Sequence, residues 1–181
     1  MLGLKSFMDE LKVISRGKYY LTPFCEAHID ELCASLSPES RYELRCLGYS
    51  SIKEALIEMM NESESYVAKS EGGPILCVSG LFYDRSADDP QMFAMFTDSA
   101  KESFHMMARG SKMLTNFFDQ THPSMSMYIL DKFPIMLNWA AWLGFQPVGL
   151  AIHNNNNYVE FVRCNPREKN VSHEGSRPVM H

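Results

Sequence analysis

No apolar run in this sequence approaches the ~20 residues that a membrane-crossing helix needs. The opening stretch MLGLKSFMDELKVISRGK breaks its apolar spacing with Lys, Asp and Glu, so no secretory leader and no membrane anchor are expected. Cysteine is sparse and unpaired. Cys25, Cys33, Cys46, Cys77 and Cys164 are odd in number and none stands in a CxxC pair, which argues against a disulfide framework and a zinc site. Thiols in a cytosolic, reducing compartment are the expectation. Basic charge is also short, with 17 Lys+Arg against 22 Asp+Glu and a net charge of −5, so nucleic acid is not expected as the main partner. Repeats are lacking, and the only biased run is Asn154 to Asn157.

What is present fits one globular domain. The chain has 181 residues, 45% hydrophobic and 12% aromatic, enough for one buried core. Three parts are expected: an amphipathic N-terminal helix over 1–17, a domain over 18–163 and a polar tail over 164–181. Leu4, Leu11 and Ile14 recur at helical spacing in the first part, as an apolar stripe that packs on the domain or docks on a partner.

Within the domain, a short strand is predicted over 18–21, and Thr22-Pro23 then reads as the opening of a helix to Leu36. Ser37-Pro38 starts a second helix, and Ser51 with Glu54 forms a capping box for a third. The period then changes to alternation, with strands over 65–70, 75–82 and 91–96. A long helix over 98–120 follows, weakened at Gly110, then a strand over 125–130 and a helix over 134–143 stopped by Gly144. The strands over 145–152 and 158–163 close a hairpin, turned by the asparagine run because Asn tolerates positive φ.

This order, with Trp142-Leu143-Gly144-Phe145-Gln146-Pro147-Val148-Gly149 near its end, resembles the GCN5-related N-acetyltransferase (GNAT) family. The resemblance implies an α/β domain with a mixed, mostly antiparallel central sheet and helices on both faces. It also implies a gap between two splayed central strands that takes acyl-coenzyme A, whose pyrophosphate rests on a glycine-rich loop at a helix start. Two departures stand out. The segment in the loop's place, Thr97-Asp98-Ser99-Ala100-Lys101-Glu102, has no glycine and carries two acids. The family's proton-donating Tyr falls on Ala140, and its usual Asn falls on Phe133. Within the fold, the pattern around Met92–Phe96 and the long helix resembles the internal virion protein A family of short-tailed bacteriophages.

The leading expectation is therefore a non-catalytic, acetyltransferase-like structural or assembly protein of a phage virion, with no catalytic residue, metal or cofactor. Its partners would be other virion proteins, and its locations the virion and, during assembly, the host cytoplasm. The alternative is an active acyl-CoA-dependent N-acyltransferase. Acetyl-CoA would then place its pyrophosphate on the backbone around Thr97, Ser99, Ala100 and Lys101, and its pantetheine arm along the strand near Met95. A second alternative is a phage protein that binds and inhibits a host target.

Other chemistry-bearing residues have plainer readings. Cys25 stands early in a predicted helix, where a dipole activates thiols, but no base partner is evident. His28, His105, His122 and His153 read as helix or turn residues, and Asp84, Asp88 and Asp89 as a solvated loop. Met92, Met95, Met106, Met107, Met113, Met125, Met127 and Met136 gather at the centre of the domain, as core filling that also occupies the ancestral groove.

Overall fold

The computed structural model describes residues 19–83 and 89–165. The helix expected over 1–17, Asp84, Asp88 and the tail from residue 166 on, with His173 and His181, lie outside the described residues, whereas Cys164, expected to open the tail, ends the last strand.

Alternating apolar residues drive a seven-stranded sheet. Its strands are β1 (Tyr19–Pro23), β2 (Ser63–Ser70), β3 (Ile75–Phe82), β4 (Gln91–Phe96), β5 (Ser124–Leu130), β6 (Gln146–His153) and β7 (Asn156–Cys164). They lie in the order β1-β2-β3-β4-β5-β7-β6, and every pairing is antiparallel except β4 with β5. The helices are α1 (Ile29–Ser35), α2 (Pro38–Cys46), α3 (Ile52–Glu62), α4 (Phe104–Phe118) and α5 (Pro134–Trp142). The mixed, mostly antiparallel α/β architecture is the one the sequence suggests, and among the described residues no helix is long and apolar enough to cross a membrane.

Two apolar layers sandwich the sheet. Leu32 of α1, Leu44 of α2 and Leu56 and Met59 of α3 pack on one side with Val67, Val78 and Met95. On the other side Leu114 and Phe118 of α4 and Ala140 of α5 pack with Met92, Met125, Met127 and Phe161. Each fully buried large side chain contributes about 1.5–3 kcal/mol, so the two layers carry most of the driving force.

Local rules explain most boundaries. Ser37 Oγ accepts from Ser40 N–H at 3.2 Å and Pro38 takes the first helical position, so α2 starts as expected. Ser51 Oγ accepts from Glu54 N–H at 3.3 Å, which fixes the start of α3. Two expectations need correction. Thr22-Pro23 does not open a helix, because both residues pair with β2 (Thr22 with Val67, Pro23 with Tyr66) and the helix waits until Ile29. The long helix also begins as a 3-10 segment over Asp98–Ser103 and becomes α-helical only at Phe104, with Gly110 inside it.

The Leu143-Gly144-Phe145 junction behaves as its residues dictate. Gly144 sits at φ +92, where a β-carbon would be strained and would also run into the Arg163 guanidinium. Phe145 then enters the core, 2% exposed. Arg163 of β7 donates to Asp119 Oδ1 at 3.0 Å, to Asn116 Oδ1 at 3.3 Å and to Leu143 O, tying the ends of α4 and α5 to the sheet. Breaking such a buried pair by removing one partner costs about 3–5 kcal/mol.

Candidate functional site: a cleft through the sheet

β4 and β5 share a single paired position, Gln91 with Ser126, where Ser126 N–H donates to Pro90 O at 3.0 Å. Beyond it the strands part, and the sheet is opened by a cavity of about 120 Å³. A cavity of roughly 150 Å³ admits a benzene-sized group, so the space suits a short acyl chain or a slender arm. The walls are mostly apolar. Met92, Met95, Met127 and Met136 all line the cleft, narrowing it without closing it.

One end of the cleft lies where β4 runs into the 3-10 segment. Thr97 N–H donates to Leu76 O of the neighbouring strand at 2.9 Å. Antiparallel alternation then turns the N–H and C=O of Phe96 and Ala94 away from β3, toward the splay, while Met95 pairs with Val78. The pair on Phe96 is already taken: its N–H donates to Ser40 Oγ at 2.9 Å and its C=O accepts from Ser37 N–H at 2.9 Å. Ala94, which lines the cavity, keeps its pair directed into it.

Past Phe96 the four residues proposed for a pyrophosphate have other duties. Thr97 is 1% exposed and turns its hydroxyl inward to Ile75 O at 2.7 Å instead of capping the helix. Ala100 is buried and its N–H donates to Thr97 O. Ser99 is half-buried, and exposed Lys101 lies 3.6 Å from Asp98. An acid at a helix start stabilises the helix but repels a second anion there. The residues therefore fit the apolar arm of an acyl thioester and do not fit its diphosphate.

The facing wall is built from α2 and β7. Glu43 of α2 lines the cavity, and desolvation pushes its carboxyl up to about 7, with no hydrogen bond or ion pair offsetting the burial among the described residues. Tyr158 of β7 also lines the cavity and is 3% exposed, yet its hydroxyl has no hydrogen-bond partner among the described residues. Burial, then the neighbouring Cys46, Glu43 and Tyr42, push its phenol up to about 12.

The asparagine turn holds these two elements together. Asn154 and Asn155 adopt φ +47 and +59, as the sequence suggests for a hairpin. Asn154 Nδ2 donates to Cys46 O at 3.3 Å, Cys46 Sγ donates to Asn156 Oδ1 at 3.4 Å, and His153 Nε2 meets Leu47 O at 3.4 Å. The hairpin thus clamps the end of α2 that carries Glu43.

Ala140, the position expected to hold a Tyr, lines the same cavity with only a methyl group, and Phe133 caps α5 without a side-chain bond. Neither Glu43 nor Tyr158 stands out in the sequence. Glu43 shares its helix with Glu39, Arg41 and Arg45, so the acid carried no signal of its own, and Tyr158 offered only an aromatic with a polar tip at an inward strand position.

The remaining candidates fall elsewhere. Cys25 does have a neighbour, His28, whose Nδ1 lies 3.4 Å from Sγ and accepts from Cys25 N–H at 3.2 Å, but the pair forms a capping box on the 3-10 turn Glu26–His28. Burial, then Lys69, lowers the His28 pKa. His105 is exposed on α4, and His122 Nδ1 meets Thr121 Oγ1 at 2.9 Å in a turn. Asp89 accepts from Ser124 Oγ, and no metal-ligand cluster occurs among the described residues. Cys77, in the cleft wall, is pushed by burial up to about 12 and is chemically quiet at neutral pH.

No family model matches the sequence, and no curated protein matches it either. Solved structures do match in shape. A GnaT-family acetyltransferase from Bordetella pertussis superposes with a TM-score of 0.66 at 15% identity, covering 81% of this chain and 96% of that one. Spermidine N-acetyltransferase from Vibrio cholerae, solved with CoA and spermine, gives 0.62 at 7% identity, covering 82% and 96%. Ribosomal-protein-S5-alanine acetyltransferase from Vibrio fischeri gives 0.61 at 13%, covering 82% and 94%. The chain has the fold of the GNAT acetyltransferases. The narrower resemblance to phage internal virion proteins gains no support from these comparisons.

Proposed function

We propose that this protein is an acyltransferase of the GNAT fold that moves an acyl group from a pantetheine thioester, acetyl-CoA being the simplest, to an amine. The observation that carries this reading is the cleft itself, which opens the sheet with the Ala94 backbone pair turned away from β3 on one side and, on the other, the Glu43 carboxyl, uncompensated among the described residues. Thioester transfer needs a dry channel for the arm and a base for the incoming nitrogen. A carboxyl raised toward neutrality is poised to accept that proton. The bound thioester would supply an activated carbonyl; the chain's own contribution is to orient the arm on Ala94, exclude water with the methionines and take a proton at Glu43.

A second reading, a non-catalytic domain such as the sequence suggested for a phage virion, draws on one feature that speaks to lost catalysis alone: Ser37 and Ser40 occupy the Phe96 edge, and Asp98 would oppose a diphosphate. Calorimetry separates the two. The acyltransferase reading expects micromolar binding of acetyl-CoA, and of S-acetyl-pantetheine within a few-fold, because the diphosphate adds little here. Absence of heat from both thioesters would favour the structural role.

A further inference from the structure

The cleft lacks a proton donor on α5, where Ala140 offers only a methyl, and has an unclaimed one on β7. From this geometry we infer that Tyr158 Oη is the catalytic acid of the transfer, acting as a pair with Glu43. The inference rests on the acyltransferase reading and assigns the residues that reading leaves open.

Three observations carry it. A buried hydroxyl without a partner is costly, about 1–3 kcal/mol, so a phenol left in that state inside a cavity marks a place where a ligand atom completes its bonding. Glu43 and Tyr158 line the same cavity from different elements, clamped by Asn154 and Asn156, so both reach one bound molecule. They are also electrostatically coupled, since the Glu43 carboxylate is among the groups that hold the Tyr158 proton in place.

The coupling sets the order of events. The attacking amine forms its bond to the acyl carbon and releases a proton to the Glu43 carboxylate. Glu43 is then neutral, which removes one of the charges opposing ionisation of Tyr158. As the carbon–sulfur bond breaks, the electron pair leaves on sulfur and the Tyr158 proton passes to it, giving free thiol and amide. Return of the proton from Glu43 to the Tyr158 phenolate restores the pair, so atoms and charge balance without any further reactant.

Tyr158→Phe is a clean variant, because it removes a hydroxyl without a partner among the described residues and should leave the melting temperature unchanged or raised, never lowered. The probe is hydroxylamine with acetyl-CoA, followed by release of free thiol; hydroxylamine is small and uncharged at neutral pH, so it attacks without prior deprotonation and equally in both proteins. The expected result is a rate reduced about 100-fold or more in Tyr158→Phe with an unchanged acetyl-CoA Kd. The loss should shrink below about 5-fold with S-phenyl thioacetate, whose thiolate leaves without a proton. As a readout apart from turnover, the ultraviolet thiolate band of bound coenzyme A should appear at lower pH in the unsubstituted protein than in Tyr158→Phe. Equal rates and equal thiolate titrations in the two proteins overturn the assignment while leaving the acyltransferase reading intact. Binding of acetyl-CoA without any acceleration by the unsubstituted protein overturns it as well. Absence of acetyl-CoA binding removes the acyltransferase reading and this assignment together.

Discussion

The two walls of the cleft differ in how their polar groups are satisfied. On the β4 side almost every group has a partner inside the protein: Thr97 bonds to Ile75 and Leu76, Phe96 bonds to Ser37 and Ser40, and Asp98 faces Lys101. On the β7 side, part-buried Glu43 and buried Tyr158 line the cavity with no hydrogen bond to complete them among the described residues. A folded chain tolerates such costs where something outside it supplies the missing partner. The contrast supports the proposed chemistry on the β7 side, and on the β4 side it shows polar groups already committed to internal structure.

The largest way to break this comparison is at Glu43. Its carboxyl is raised in the folded state from an ordinary 4.5 to about 7. The folded protein therefore holds this proton more tightly than the unfolded chain does. The associated stability is fully present below pH 4.5 and is lost as the pH climbs through 7. Glu43→Gln removes the charge but keeps the shape. Denaturant unfolding should show it gaining up to about 3 kcal/mol on the original protein above pH 7, and nothing below pH 4.5. Amine acetylation should fall in the same variant. A stability difference that stays flat between pH 5 and 8 would remove Glu43 from its buried, uncompensated place.

A smaller effect sharpens the other end. Asp98→Asn lifts the repulsion at the start of the 3-10 segment, a helix-terminus effect of about 0.3–1 kcal/mol. Calorimetry should show acetyl-CoA binding about 2–5 times more tightly, with S-acetyl-pantetheine unaffected because it carries no phosphate. Equal tightening of both ligands would mean that Asp98 shapes the arm's path and does not face a diphosphate.

Much of the architecture was legible from local rules. Ser37-Pro38, the Ser51 cap, the near-continuous apolar run over Ile75–Phe82 and the Asn154-Asn155 turn each carry their cause in neighbouring residues. Thr22-Pro23 misled because pairing of β1 with β2 outweighed a helix-opening signal, a decision made far along the chain at Val67 and Tyr66. Of the site, the missing glycines at Thr97–Lys101 and the methyl at Ala140 could be read directly. Glu43 and Tyr158 could not, since their significance lies in burial without a partner, and that emerges only when α2 and β7 are brought together by the hairpin clamp.

The central claim is that a thioester arm lies in the splay against the free backbone of Ala94. The most direct measurement is titration of isotope-labelled protein with acetyl-CoA while the amide resonances of β4 are followed. The account predicts a saturable shift at Ala94, with Phe96, already bonded to Ser40, moving far less. Saturable binding that leaves Ala94 still, or that moves only residues outside the cleft, would contradict it.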